Sequence, residues 1–362
     1  MKRLFMMVLL IGGLIGCSSD QTEQSADDST TEPAAETVQN VAQHEDATIL
    51  ANRLRVPWQI NHINETVFYL SGRSGEIYSI KGDSKQKQSV DLNKEIIAET
   101  EGGLLGFLIL DGTSEPLEAI LYHTYEEDGE RLNRVVKVQK QKSVWKETDT
   151  LVEGIPGGRI HNGGRLAIGP DDALYITTGD AGHSSLAQDK ESLAGKILRI
   201  NLDGTIPKDN PFPDSPVYSY GHRNPQGLGW TSDGKMYSTE HGSRGHDELN
   251  LILSGGNYGW PVIQGDEEED GMKTPLFHSG DETWAPAGLA IDGSKIYVAF
   301  LAGEQIRVFD LETGTHELWK DGFGRMRDVI IRNGNLYTIT NNTDGRGSPK
   351  KDDDKLIKFP LD

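Results

Sequence analysis

The 362-residue sequence contains a single cysteine, Cys17, so no disulfide within the chain can brace it. Packing alone must hold the fold. Cations are also scarce, with 36 Lys and Arg against 56 Asp and Glu, for a formal net charge of −20. Such acidity argues against nucleic acid as a partner, because phosphate contacts need clustered Lys and Arg, and it disfavours anionic lipid surfaces. Its simplest use is solubility, and it can also help retain divalent cations. No apolar run approaches the ~20 residues of a membrane-spanning helix. No segment sustains a helical periodicity of apolar residues, which leaves period-two patterns to build the fold.

What is present starts at the N-terminus. Lys2 and Arg3 precede an apolar run from Leu4 to Ile15, and Leu14-Ile15-Gly16-Cys17 is similar to the lipobox of bacterial lipoproteins. The expectation is a signal peptide over residues 1–17, with Cys17 lipidated and the protein held at the membrane outside the cytoplasm by that lipid alone. Residues 18–46 are Ser, Thr, Gln, Glu, Asp and Ala with almost no large apolar side chain, so they cannot offset the conformational entropy of folding. They read as an acidic tether. Residues 47–362 then form the folded domain.

One pattern recurs in that domain: an apolar alternating run, a polar turn with Asp or Gly, and a second run containing Tyr. Copies begin at Leu166, Leu228, Leu289 and Val329, and a fainter one spans Thr66 to Ser79. Alternating runs joined by Asp-Gly or Asn-Gly are β-hairpins, since those residues accept the positive φ of tight turns. With 42 glycines and 15 prolines, the recurrence suits an all-β, six-bladed β-propeller of four-stranded antiparallel sheets. Propellers gather their loops on one face around a central channel, so function is expected there.

The densest polar segments are Arg159-Ile-His-Asn-Gly-Gly-Arg165, Gly179-Asp180, Gly221-His-Arg-Asn-Pro-Gln-Gly227 and Glu240-His-Gly-Ser-Arg-Gly-His-Asp-Glu248. Each falls at a strand end. Converging loops would offer a histidine base, an aspartate to orient it and several arginines to hold an anionic ligand. Together with Leu193-Ala-Gly-Lys-Ile-Leu-Arg-Ile-Asn-Leu-Asp-Gly204 and Gly255-Gly-Asn-Tyr-Gly-Trp-Pro261, and in this order, these segments resemble the soluble quinoprotein glucose and aldose sugar dehydrogenases. The resemblance runs from about Leu54 to Phe359.

That family binds pyrroloquinoline quinone (PQQ) and calcium in a six-bladed propeller. The resemblance implies that His161 is the general base for a sugar hydroxyl and that Asp180 orients it. It implies cofactor contacts from Arg223 and Asn224, with Arg325 and Arg327 clamping the quinone carboxylates; Arg159 and Thr283 join the candidate set. Calcium is implied at the backbone oxygens of Gly242 and Ser243, with Glu248 and Tyr258 in motifs associated with nearby metal sites. Three positions depart from the pattern: Glu101 and His241 stand for glutamines, and Ala302 for a lysine of the glucose enzymes. A carboxylate at 101 is expected to repel an anionic cofactor unless it is protonated or metal-bound.

The function implied is PQQ- and calcium-dependent oxidation of a sugar hydroxyl. Electrons must leave to an external acceptor, because no Cys-x-x-Cys-His haem motif is present. Two other readings stay open on the residues alone: a non-catalytic envelope propeller that binds carbohydrate or protein, and a metal-dependent lactonase.

Overall fold

The computed structural model describes residues 46–361; the leader, Cys17 and residues 18–45 lie outside the described residues. The described chain is all-β apart from one short 3-10 helix, Ser184–Ala187. Four sheets have four strands each, and an eight-stranded sheet consists of two antiparallel four-stranded halves. Those halves join where Ser89, Val90 and Asp91 run parallel to Val144, Trp145 and Lys146.

The leading strands of successive sheets or half-sheets are Pro57–Asn64, Leu104–Ile109, Leu166–Ile168, Pro225–Trp230, Pro286–Asp292 and Met326–Arg332. Each packs against the next, and the last packs against the first. The circuit is closed and the architecture propeller-like. Both ends of the domain build the final sheet, because Thr48–Ala51 pairs antiparallel with Leu356–Pro360. That pairing fastens the first strand of the domain to its last sheet.

Turn chemistry explains the hairpins. Arg332 pairs with Asn335 across Asn333-Gly334, whose φ values of 50° and 67° are those of a two-residue turn matching strand twist. The copies starting at Leu166, Leu228, Leu289 and Val329 each cover the first two strands of a sheet. The fainter copy is displaced: Val67–Gly72 and Glu76–Lys81 are second and third strands, and the leading strand is Pro57–Asn64. The same turn residues serve any adjacent strand pair, so the motif alone does not fix which pair it joins.

Apolar clusters fill the spaces between neighbouring sheets. Trp145, with no exposed surface, meets the Tyr69 and Phe107 rings edge-on at 5.8 and 5.1 Å. Each such buried side chain contributes roughly 1.5–3 kcal/mol. The ring centre is polar instead. Arg165 and Asp328 form a buried ion pair at 3.0 Å; Arg165 also donates from Nε to the Gln226 carbonyl at 2.8 Å and lies 4.5 Å from the Trp58 ring. One mouth of the channel beyond this cluster is lined by Trp58, Arg73, Glu101, His241, Arg327 and Arg346.

Candidate active site

His161 sits in a loop shaped by the residues around it. Its φ of 56° is left-handed, as is that of Gly163 at 61°, and a Cβ on Gly163 would stand 2.6 Å from the Thr177 carbonyl. Asn162 is buried and pins the loop: its amide donates to the Gly158 carbonyl at 2.9 Å, and its carbonyl accepts from the Tyr122 hydroxyl at 2.7 Å. Gly179 lies so close to the His161 carbonyl that no side chain fits there. The His-Asn-Gly-Gly and Gly-Asp segments are thus two halves of one contact.

That contact brings His161 Nδ1 to 2.7 Å from Asp180 Oδ1, with 13% of the histidine side chain exposed and 2% of the aspartate. Asp180 also accepts from the Gly182 N–H and the Trp260 indole N–H, each at 2.8 Å. Burial works to raise the Asp180 carboxyl, but its hydrogen bonds and the nearby imidazole outweigh this and hold it below the ordinary carboxylate range. An ionised Asp180 fixes the imidazole proton on Nδ1. Nε2 of His161 has no hydrogen-bond partner among the described residues and is left open to a ligand. His222 makes a similar pair with Glu240 at 2.7 Å, yet its Nε2 meets Ser219 Oγ at 2.8 Å and it has no exposed surface. Only the first of these two histidines is available to a ligand.

Guanidinium groups surround the same region. Arg327 is buried against neutral partners, Gln226 Oε1 at 2.6 Å and Asn341 Oδ1 at 3.2 Å. Burial, with the opposing charges of Arg325, Arg73 and Arg165 overcoming help from Asp344, pushes it down to about 9. Arg223 lies over the Trp260 ring at 5.4 Å, and its Nε is buried without a partner. His241 is flanked by Arg327, Arg223 and His161; burial first, then those charges, keeps its imidazole neutral, and its Nε2 is likewise buried without a partner. Asn224 accepts the Gly163 N–H at 3.1 Å, tying this segment to the His161 loop.

Other expected site residues stand differently. Arg325 is engaged by Asp344 Oδ2 at 2.8 Å and by the Leu301 carbonyl at 3.2 Å, so it braces the loop after Thr340 and does not offer a free guanidinium. Arg159 and Thr283 are exposed, and neither lines the cavity. The Tyr258 hydroxyl accepts from the Leu253 N–H and donates to the Leu251 carbonyl, each at 2.7 Å, so it is not open to a metal. Glu248 accepts from Asn250 at 2.9 Å; burial and then the charge of Glu240 push it up to about 8. Among the described residues, no group of three or more His, Cys, Asp or Glu side chains could hold a metal ion.

Glu101 has a charged partner of its own. Burial works to raise its carboxyl, but the His161 backbone N–H and Arg346 outweigh this, so it is held below its ordinary range. Arg346, 2.6 Å from Oε1, supplies a counter-charge. Sequence reading missed Arg346, and with it Arg73, Asp344 and Trp58. The available signal was the turn-rich Asn341-Asn-Thr-Asp-Gly-Arg-Gly347 segment, which follows a strand as the other site loops do.

The model of the Glucose / Sorbosone dehydrogenase family matches residues 54–352. The quinoprotein glucose dehydrogenase B of Acinetobacter calcoaceticus is 34% identical over 261 residues, 62% of this chain and 54% of that protein, so the chain spans about half the length of this curated relative. An aldose sugar dehydrogenase of Escherichia coli is 27% identical over 337 residues, 82% of this chain and 90% of that protein. Among solved structures, the PQQ-bound form of aldose sugar dehydrogenase from Streptomyces coelicolor superposes with a TM-score of 0.80 at 35% identity, covering 87% of this chain and 97% of that one. Matched by the family model over most of its length, with the His161–Asp180 pair beside an arginine-lined cavity, the chain belongs to the Glucose / Sorbosone dehydrogenase family.

Proposed function

We propose that this protein is a PQQ-dependent sugar dehydrogenase that oxidises the hydroxyl of an aldose or related sugar and passes the electrons to an external acceptor. The carrying observation is the His161–Asp180 pair, with Nε2 free, beside a cavity whose guanidinium groups exceed what its own carboxylates neutralise. The donors suit a planar polycarboxylate. Arg327 has only neutral partners, Arg223 Nε and His241 Nε2 are buried without any, and Trp58 and Trp260 offer ring faces.

PQQ, when bound, supplies a quinone carbonyl able to accept hydride. His161 Nε2 receives the hydroxyl proton of the sugar, and Asp180 stabilises the imidazolium that results. Arg327, Arg223 and Arg73 would balance the cofactor carboxylates, and His241 would donate or accept according to the atom it meets. Calcium would lie at Gly242 and Ser243: neither carbonyl accepts a hydrogen bond among the described residues, and hard cations take such oxygens. We read the closed ring as six blades, supported by four separate sheets and the two halves of the eight-stranded one. We further propose export and lipidation at Cys17, tested by palmitate labelling that Cys17→Ser abolishes.

The test of the activity is direct. Protein mixed with PQQ and calcium, then freed of excess, should retain quinone absorbance and reduce a dye only when an aldose is present. Absorbance without sugar-dependent reduction would leave a binding propeller; loss of both would reject the assignment.

A further inference from the structure

Glu101 and Arg346 are 245 residues apart, yet they meet at the mouth of the active-site cavity. The contact belongs to a continuous polar chain. Arg325 binds Asp344 Oδ2 at 2.8 Å, Asp344 Oδ1 accepts the Arg346 N–H at 2.8 Å, and Arg346 Nη2 reaches Glu101 Oε1 at 2.6 Å. Glu101 Oε2 then accepts the His161 backbone N–H at 2.8 Å, and the His161 ring meets Asp180.

The end of this chain coincides with a strained residue. A left-handed backbone is costly for a non-glycine residue and persists only where surrounding contacts hold it. At His161, with φ of 56°, Glu101 provides such a contact, since a carboxylate makes a stronger acceptor than a neutral group. Its own backbone is tied to the same loop, because the Glu101 N–H donates to the Arg159 carbonyl at 3.2 Å. The two arms of the chain are unequal. The Arg346 side chain is 57% exposed, so its ion pair is screened by water and salt, whereas Glu101 is 21% exposed and its contact with His161 is shielded.

We propose that Glu101 is a positioning residue that holds His161 in its left-handed conformation, and that Arg346 is its counter-charge, strapping the 341–347 loop across the cavity mouth. The inference deepens the dehydrogenase reading and rests on it for its catalytic consequence. Besides Arg346 and His161, the charges facing Glu101 are Arg73 and Arg223, both cationic, so the site tolerates a carboxylate beside an anionic ligand. A glutamine at 101 would still accept the His161 N–H through its amide oxygen but would lose the attraction to Arg346.

The test uses amide hydrogen exchange in the full chain without cofactor, alongside kcat and KM of the loaded enzyme. Glu101→Ala should speed exchange at the His161 amide by about 10- to 100-fold, the factor carried by a hydrogen bond to a charged group, and lower kcat more than it raises KM. Glu101→Gln should restore most of that protection. Arg346→Ala should leave His161 protected while speeding exchange across residues 341–347. The Asp180 amide, which donates to the Arg223 carbonyl at 2.8 Å, serves as the internal control and should stay protected in every variant. Unchanged His161 exchange in a folded Glu101→Ala protein would overturn the proposal, as would equal behaviour of the Ala and Gln variants. If exchange responds as stated but no form oxidises sugar, the positioning role stands and the dehydrogenase reading falls.

Discussion

Replacing Asp180 by asparagine exchanges one oxygen for nitrogen in a group that already receives three donors. Oδ1 takes the His161 ring at 2.7 Å and the Gly182 N–H at 2.8 Å; Oδ2 takes the Trp260 indole at 2.8 Å. An amide nitrogen in place of Oδ2 would face the indole N–H and leave a donor unpaired, at about 1–3 kcal/mol. In place of Oδ1 it would donate to His161, moving the imidazole proton to Nε2 and removing the base. Either way the negative charge that stabilises the imidazolium is gone. A positioned general base contributes about 10²–10⁴ in rate, or ~2.7–5.4 kcal/mol at 1.36 per tenfold. In PQQ-saturated Asp180→Asn protein, kcat for sugar-dependent dye reduction should fall by about 10²–10³, with KM changing by less than about fivefold. A kcat within about threefold of wild type would refute the assignment of Nε2 as the base.

Four further outcomes follow from the same geometry. Gly179→Ala puts a methyl group into the His161 carbonyl, so it should reduce kcat at least as much as Asp180→Asn while the near-ultraviolet spectrum stays native. Arg325→Ala removes the ion-pair partner of the buried Asp344 carboxylate and should cost about 3–5 kcal/mol in denaturant unfolding; Arg327→Ala, whose partners are neutral, should cost less stability but weaken PQQ binding by about 10- to 100-fold in a fluorescence titration. Asp180 has a folded-state pKa below its unfolded value, so its contribution to stability is complete above the ordinary carboxyl range and is lost as pH falls through the lowered value. Thermal melts toward acid should therefore show a shallower loss for Asp180→Asn than for wild type, and parallel curves would contradict the pairing.

Much of the fold was legible because turn chemistry and period-two alternation are local signals. The hairpins starting at Leu166, Leu228, Leu289 and Val329 carry both. The half-sheet from Leu104 to Pro156 carried neither clearly: its strands Glu118–Glu127, Glu130–Gln141 and Val144–Pro156 are long and rich in charge on their outer faces. His161 and Asp180 were legible as residue types in glycine-rich loops, and the close approach of Gly179 to the His161 carbonyl explains why the two segments meet. Arg346 was not. Its meaning depends on Glu101 across the channel mouth, and ring closure, not local sequence, creates that proximity. The same holds for a pair close in sequence: Arg325 and Arg327 are two residues apart, but Asp344 engages the first and leaves the second with neutral partners.

Calorimetric titration of the purified protein with PQQ in calcium buffer, beside the Arg327→Ala and His161→Ala variants, goes straight to the convergence of base and guanidinium groups on one cavity. One equivalent should bind to wild type and to His161→Ala, with clear weakening in Arg327→Ala. No heat of binding in wild type, or equal affinity after loss of Arg327, would contradict the placement of the cofactor in this cavity.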